Sequence, residues 1–274
     1  MAALLDSAEP GAAPIPELIS AGLPAALVRF VAESGSAPQA LVQACWLIGS
    51  LAAAGQAAVE SLVTAGGAPA LVGLLGRVVL LLDSTAAPSP VSSLAADADL
   101  PLHSLVALCA VADLPAGAAS LLDAGAVEAV AALLIAHEAA LPVSAVEAGC
   151  RALEALMLRN DGAEFASSGG CARLMACGGL DALLQVLLSP RAAADDELAV
   201  QAMGAILAAL ACEGAAVAGE AAARVAAQAP ALRALVMGRG SSGDPSVISA
   251  AILDRFAVVL RLEEPADQLP GLCV

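Results

Sequence analysis

Ala57–Leu75 reads AAVESLVTAGGAPALVGLL, and its punctuation decides the fold. A short apolar run stops at Gly66-Gly67, and a second run opens with Pro69, a residue tolerated in the first helical turn. The same phrase returns at Leu121–Leu134 (LLDAGAVEAVAALL) and Leu174–Leu188 (LMACGGLDALLQVLL). It occurs once earlier, at Leu18–Val31 (LISAGLPAALVRFV), and in worn form at Val225–Met237. Self-similarity at this spacing marks stacked units, each too small to bury its apolar faces alone.

Each copy leads into a longer apolar stretch. These stretches read CWLIGSLA at Cys45–Ala52, LVALCAVA at Leu105–Ala112, CRALEALM at Cys150–Met157 and GAILAALA at Gly204–Ala211. Their small and large residues recur at three and four, as in a helix packed on neighbours. The sequence therefore predicts an all-α chain of about five three-helix units, at 16–55, 56–114, 115–161, 162–213 and 214–264. A flexible leader at 1–15 and a tail at 265–274 flank them. Asp83–Asp99, with Pro88, Pro90 and several serines, is expected to be a mobile excursion outside the helical stack, with Ser89-Pro90 either a point for phosphorylation or part of a loop with no site-specific role.

Composition agrees. Of 274 residues, 60% are hydrophobic but only 1% aromatic, so the core must be built of Ala, Leu and Val. Ala is the best helix former and lets helix axes approach closely. Mean hydropathy is +0.86. The longest charge-free run, Ser34–Val59, is long enough to span a bilayer but is interrupted by Gly, Pro and Gln, and reads as a buried helix pair. The first residues, MAALLDSAEPG, lack a basic region like that of a secretory signal. A net charge of −16, with arginine as the basic residue throughout, disfavours nucleic acid; it either keeps an apolar chain soluble or attracts basic partners. The seven cysteines show no C-x-x-C spacing, and Cys45, Cys109, Cys150 and Cys212 fall in apolar helical stretches; a reducing location is expected, cytoplasmic or secondarily nuclear.

The unit resembles the armadillo repeat, whose copies run to roughly forty residues. The resemblance rests on Gly67-Ala68-Pro69-Ala70-Leu71-Val72-Gly73-Leu74-Leu75 for the first two helices, and on Cys45–Ala52, with Trp46, for the third. It covers about residues 16–264 and implies a right-handed α-solenoid whose third helices line a concave groove. In nuclear-import receptors of this family a Trp/Asn ladder on those helices grips a basic peptide. The Trp place here holds Trp46, Val106, Arg151 and Ala205; the Asn place holds Ser50, Ala110, Ala155 and Ala209. An import-receptor ladder is thus mostly missing. Trp46, Ser50, Val106, Arg151, Ala155 and Ala205 are the candidate groove residues, with Trp46 either presented to a ligand or filling space between units.

Catalytic signals are thin. Gly238–Gly243 matches G-x-G-x-x-G but follows a helical run, where a nucleotide fingerprint needs a strand. His103 and His137 fall in different units, and His137 suits a helix C-terminus. Asp195-Asp196-Glu197 suits a helix N-terminus better than a metal. The resulting expectation is a non-catalytic scaffold without cofactor or metal, binding a partner protein or extended peptide, with no nucleic acid, membrane insertion or small-molecule substrate. The alternative is a co-chaperone-like regulator that promotes nucleotide exchange on a chaperone ATPase.

Overall fold

A glycine at one corner sets the geometry of the first four units. The computed structural model describes residues 15–33, 38–84, 94–158, 169–211 and 215–239. Helices α1 (Ile15–Ser20) and α2 (Leu23–Glu33) meet at Gly22, and α4 (Gln56–Thr64) and α5 (Gly67–Ser84) at Gly66. In the next units α7 (Pro115–Asp123) and α8 (Ala126–His137) meet at Gly125, and α10 (Gly170–Ala176) and α11 (Gly179–Leu188) at Gly178. All four corner glycines are left-handed, with φ of 81°, 84°, 85° and 77°. That backbone costs any other L-residue about 1–2 kcal/mol, which is why glycine punctuates the sequence there. The last three corners bend the chain by 71°, 69° and 75°.

The third helices are α3 (Pro38–Ala53), α6 (Leu94–Ala112), α9 (Val143–Leu158) and α13 (Asp196–Leu210). A short α12 (Pro190–Ala194) precedes α13, and α14 (Ala215–Ala227) and α15 (Ala229–Arg239) follow it. Like packs on like: α3 on α6, α6 on α9 and α9 on α13, while α2, α5, α8 and α11 stack in a parallel row. The result is an all-α solenoid. Its core is one continuous cluster of small and branched side chains, with Leu71, Leu108, Val130, Leu153 and Ile206 almost wholly buried. Small residues let the helices close up: a Cβ on Gly49 of α3 would lie 3.7 Å from the Ala107 Cα of α6.

Arginine ties join neighbouring units. Arg77 of α5 donates to the carbonyls of Val31 and Ala32 at the end of α2. Arg173 of α10 donates to Leu122 O at 2.7 Å, and Arg191 of α12 to the carbonyls of Glu138 and Leu141, the latter at 2.6 Å. Arg224 of α14 pairs with Asp181 of α11 at 2.6 Å and with its own helix's Glu220 at 2.8 Å. Carbonyls in the last turn of a helix have no partner within it, and a guanidinium fork meets them with charge that suits the helix dipole. His137, the last residue of α8, faces Asp83 of α5 at 3.3 Å.

Both ends of the expected Asp83–Asp99 excursion are helical. Residues 83–84 end α5 and residues 94–99 begin α6, which carries Pro101 inside it; 85–93, including Ser89-Pro90, lie outside the described residues. In the fourth unit α10 begins at Gly170, after Gly169, which is left-handed at φ 66°; residues 159–168 lie outside the described residues. Residues 1–14 of the leader, residues 240–243 of the glycine motif, Cys212 and the fifth unit's third helix lie outside the described residues. Among the described residues no single helix is long and apolar enough to cross a membrane, although three bent pairs are when taken together.

Candidate binding groove

Three consecutive third helices leave a cleft between them. Leu102, Val106 and Ala110 of α6 recur every four residues and so share one face, with Asp113 just past the helix end beside them. Ser144, Glu147 and Arg151 likewise share a face of α9, and Glu197 and Gln201 one of α13. The enclosed volume is about 340 Å³. Its floor is apolar: Cys109 is buried and its thiol donates to Ala148 O at 3.4 Å. Burial pushes the Cys109 thiol up to about 12, against a smaller opposing pull from Arg151, so it is not a nucleophile near neutral pH.

The charges are arranged by helix. Asp195 caps α13, its Oδ1 accepting from the backbone N–H of Glu197 at 3.1 Å and Leu198 at 3.2 Å. That cap fixes where Glu197 enters the groove. The Glu147 carboxyl is raised above its ordinary value, first by loss of solvent and then by the negative charges of Asp195 and Glu197. Glu154, two helical turns further on, is raised by burial, with Arg151 pulling the other way. Among the described residues no group of three His, Cys, Asp or Glu has metal-holding geometry.

The residues singled out from sequence are partly brought together. Val106 is 45% exposed and shares the cleft with exposed Arg151. Ala155 is half-buried one turn beyond Arg151. Trp46 and Ser50 lie on α3, both half-buried, and the Ser50 hydroxyl donates to its own helix at Trp46 O, 2.9 Å away. Ala205 is a correction: it is fully buried and cannot face a ligand. Its neighbour Gly204 packs on α9, where an added Cβ would lie 2.9 Å from Glu154 Oε1. The groove side of α13 carries Glu197 and Gln201 instead. Glu147, Glu197, Gln201 and Asp113 were missed as groove residues, although Glu147 stands at i,i+4 to Arg151, a spacing that marks a shared helix face. A second cleft, about 570 Å³, lies on the other row between α2 and α5, with Arg29 and Arg77 among small residues.

No family model and no curated protein matches the sequence. Solved structures do. An engineered protein aligns at a TM-score of 0.67 and 18% identity, over 95% of this chain and 89% of that one. A designed armadillo repeat protein in complex with the peptide (KR)4 gives 0.61 at 20% identity, over 88% and 85%. Computationally designed armadillo repeat proteins for modular peptide recognition give 0.62 at 19%, over 89% and 85%. This chain has an armadillo-like repeat fold. Within the armadillo stack the cleft of α6, α9 and α13 crosses unit boundaries, so no unit forms it alone.

Proposed function

We propose that this protein is a non-catalytic scaffold whose third-helix groove takes an extended segment of a partner protein that carries basic side chains. The observation that carries the reading is the cleft itself: Asp113 just past the end of α6, Glu147 on α9 and Glu197 on α13 bring three carboxylates above an apolar floor. Desolvation and crowding by like charge leave Glu147 short of a counter-charge, and an incoming Lys or Arg supplies one. The designed neighbour in complex with (KR)4 is consistent with this chemistry on this fold. A net charge of −16 adds long-range attraction, screened over about 8 Å at physiological salt.

The test is fluorescence anisotropy with labelled (KR)4 at low and high salt, against the wild type and Glu147→Lys/Glu197→Lys. The double reversal should weaken binding by about tenfold or more, the equivalent of roughly 1.4 kcal/mol. Binding unchanged by the reversal would place the peptide elsewhere and refute the groove.

A further inference from the structure

The row of second helices carries a positive cleft in a negative chain. Three of the tie arginines, Arg173, Arg191 and Arg224, lie within 3.6 Å of a carboxylate, that of Glu128, Glu138 and Asp181 respectively. At the α2–α5 junction the tie, Arg77, is joined instead by a second cation, Arg29 of α2, in a cleft of about 570 Å³. Among the described residues no Asp or Glu lines that cleft, in a chain of net charge −16. Arg29 is exposed and, among the described residues, enters no ion pair. Glu33, one turn further along α2, stands outside the lining, and Asp83 near the end of α5 faces His137. The walls are small, with Ala25 and Ala32 on α2 and Ala70 and Gly73 on α5. A Cβ added to Gly73 would meet nothing within 4 Å, so the space beside it is open. The α5 face that carries Gly73 and Arg77 continues to Leu80 and Leu81, three and four residues beyond Arg77. Both leucines are exposed, Leu80 at 67%.

We propose that the α2–α5 cleft docks an acidic segment of a second partner protein, with an Asp or Glu carboxylate on Arg29 and the apolar side chains that follow laid along α5 from Gly73 to Leu80. This surface is separate from the third-helix groove and does not depend on it. Charge complementarity selects the occupant. Two arginines in a cleft without a lining acid call for a carboxylate, which a planar guanidinium takes through two parallel hydrogen bonds. Arg77, held on the carbonyls of Val31 and Ala32, keeps a positive charge fixed beside that place. A small anion alone would leave Leu80 and Leu81 in water, whereas a protein segment covers them. The chain's overall negative field disfavours acidic ligands elsewhere, which confines recognition to this cleft. The site also occurs at one junction only. Counted from the corner glycines, the place of Arg29 holds Gly73, Ala132 and Gln185 in the next three units, and the place of Arg77 holds Glu33, Ala136 and Ser189 in the other three. The acidic partner is thereby anchored at the first two units, leaving the groove of α6, α9 and α13 for the basic one.

Fluorescence anisotropy with labelled SEEALLSG and its uncharged match SQQALLSG tests the proposal, and labelled (KR)4 reports on the groove. The wild type should bind SEEALLSG about tenfold more tightly than SQQALLSG. Arg29→Gln should lose that preference. Gly73→Leu, which fills the cleft from an open helical position, should lose binding of SEEALLSG altogether. Both variants should keep the wild-type circular dichroism melt and the wild-type affinity for (KR)4. No preference in the wild type, a preference kept by Arg29→Gln, or SEEALLSG binding unchanged in Gly73→Leu overturns the acidic-segment reading. Inorganic phosphate displacing SEEALLSG as effectively as the unlabelled peptide does would make the cleft a small-anion site, which also overturns it. So would a dimer in sedimentation equilibrium that Gly73→Leu dissociates, since the occupant would then be a second copy. Failure of (KR)4 alone to bind would sink the groove reading and leave this one standing.

Discussion

Arg191→Ala tests whether the arginine ties hold the solenoid together. Arg191 sits on α12 in the fourth unit and reaches back to the third, where it donates to Glu138 O and to Leu141 O at 2.6 Å. Its guanidinium also lies 3.6 Å from Glu138 Oε1, and its side chain is 26% exposed. A hydrogen bond to a charged group contributes roughly 1.5–3 kcal/mol, against about 0–1 for an exposed ion pair. Two such bonds, discounted for partial water access, give about 2–4 kcal/mol, lost between units rather than within one. Urea unfolding of the full chain should show the unfolding free energy fall by that amount. Hydrogen exchange should rise first around residues 138–141 and α12. Arg191→Lys, which keeps the charge but loses the fork, should recover less than half. A loss under about 0.5 kcal/mol for Arg191→Ala would refute the reasoning, since surface changes without a structural role fall in that range.

Three further outcomes follow from the structure. Gly178→Ala, at φ 77°, should cost about 1–2 kcal/mol although nothing lies within 4 Å of an added Cβ, so that a neutral result in urea unfolding would mean the corner relaxes. The raised Glu147 carboxyl gives a pH dependence with a definite sign. Its charged form is disfavoured in the fold, so this group's cost to stability is present above its folded pKa and disappears as pH falls toward the unfolded value; over the same fall a basic peptide should lose affinity, and affinity rising on acidification would contradict the assignment. Cys45, Cys109 and Cys150, each pushed up to about 12, should resist alkylation of the native protein at about pH 8, read by peptide mass mapping. Their labelling within minutes would show that the core opens.

Trp46 shows where sequence and structure part. Its place on the third helix was legible, but whether it meets ligand or neighbouring unit depends on packing, and it ends half-buried. Helices and corners were read well because glycine and proline act locally: in the second unit a break was expected at Gly66-Gly67 with a new helix opening near Pro69, and the helices are found at Gln56–Thr64 and Gly67–Ser84. Ala205 failed for a definite reason. In a helix of Ala, Gly, Leu and Ile the small–large beat fits at more than one phase, so residue size alone does not say which face looks outward. Glu147 and Glu197 become neighbours only when α9 stacks on α13. The arginine ties were hidden by distance, since Arg191 reaches carbonyls 50 and 53 residues away. A helix terminus advertises that its carbonyls need partners, not which residue of the next unit supplies them.

The central claim is that ligand lies across the third helices. Photo-crosslinking tests it most directly, using (KR)4 carrying a benzophenone side chain and mass mapping of the adducts. The account predicts adducts on α6, α9 and α13, concentrated near Val106, Arg151 and Gln201, and competed away by unlabelled peptide. Competable adducts confined to the α2–α5 row would contradict it.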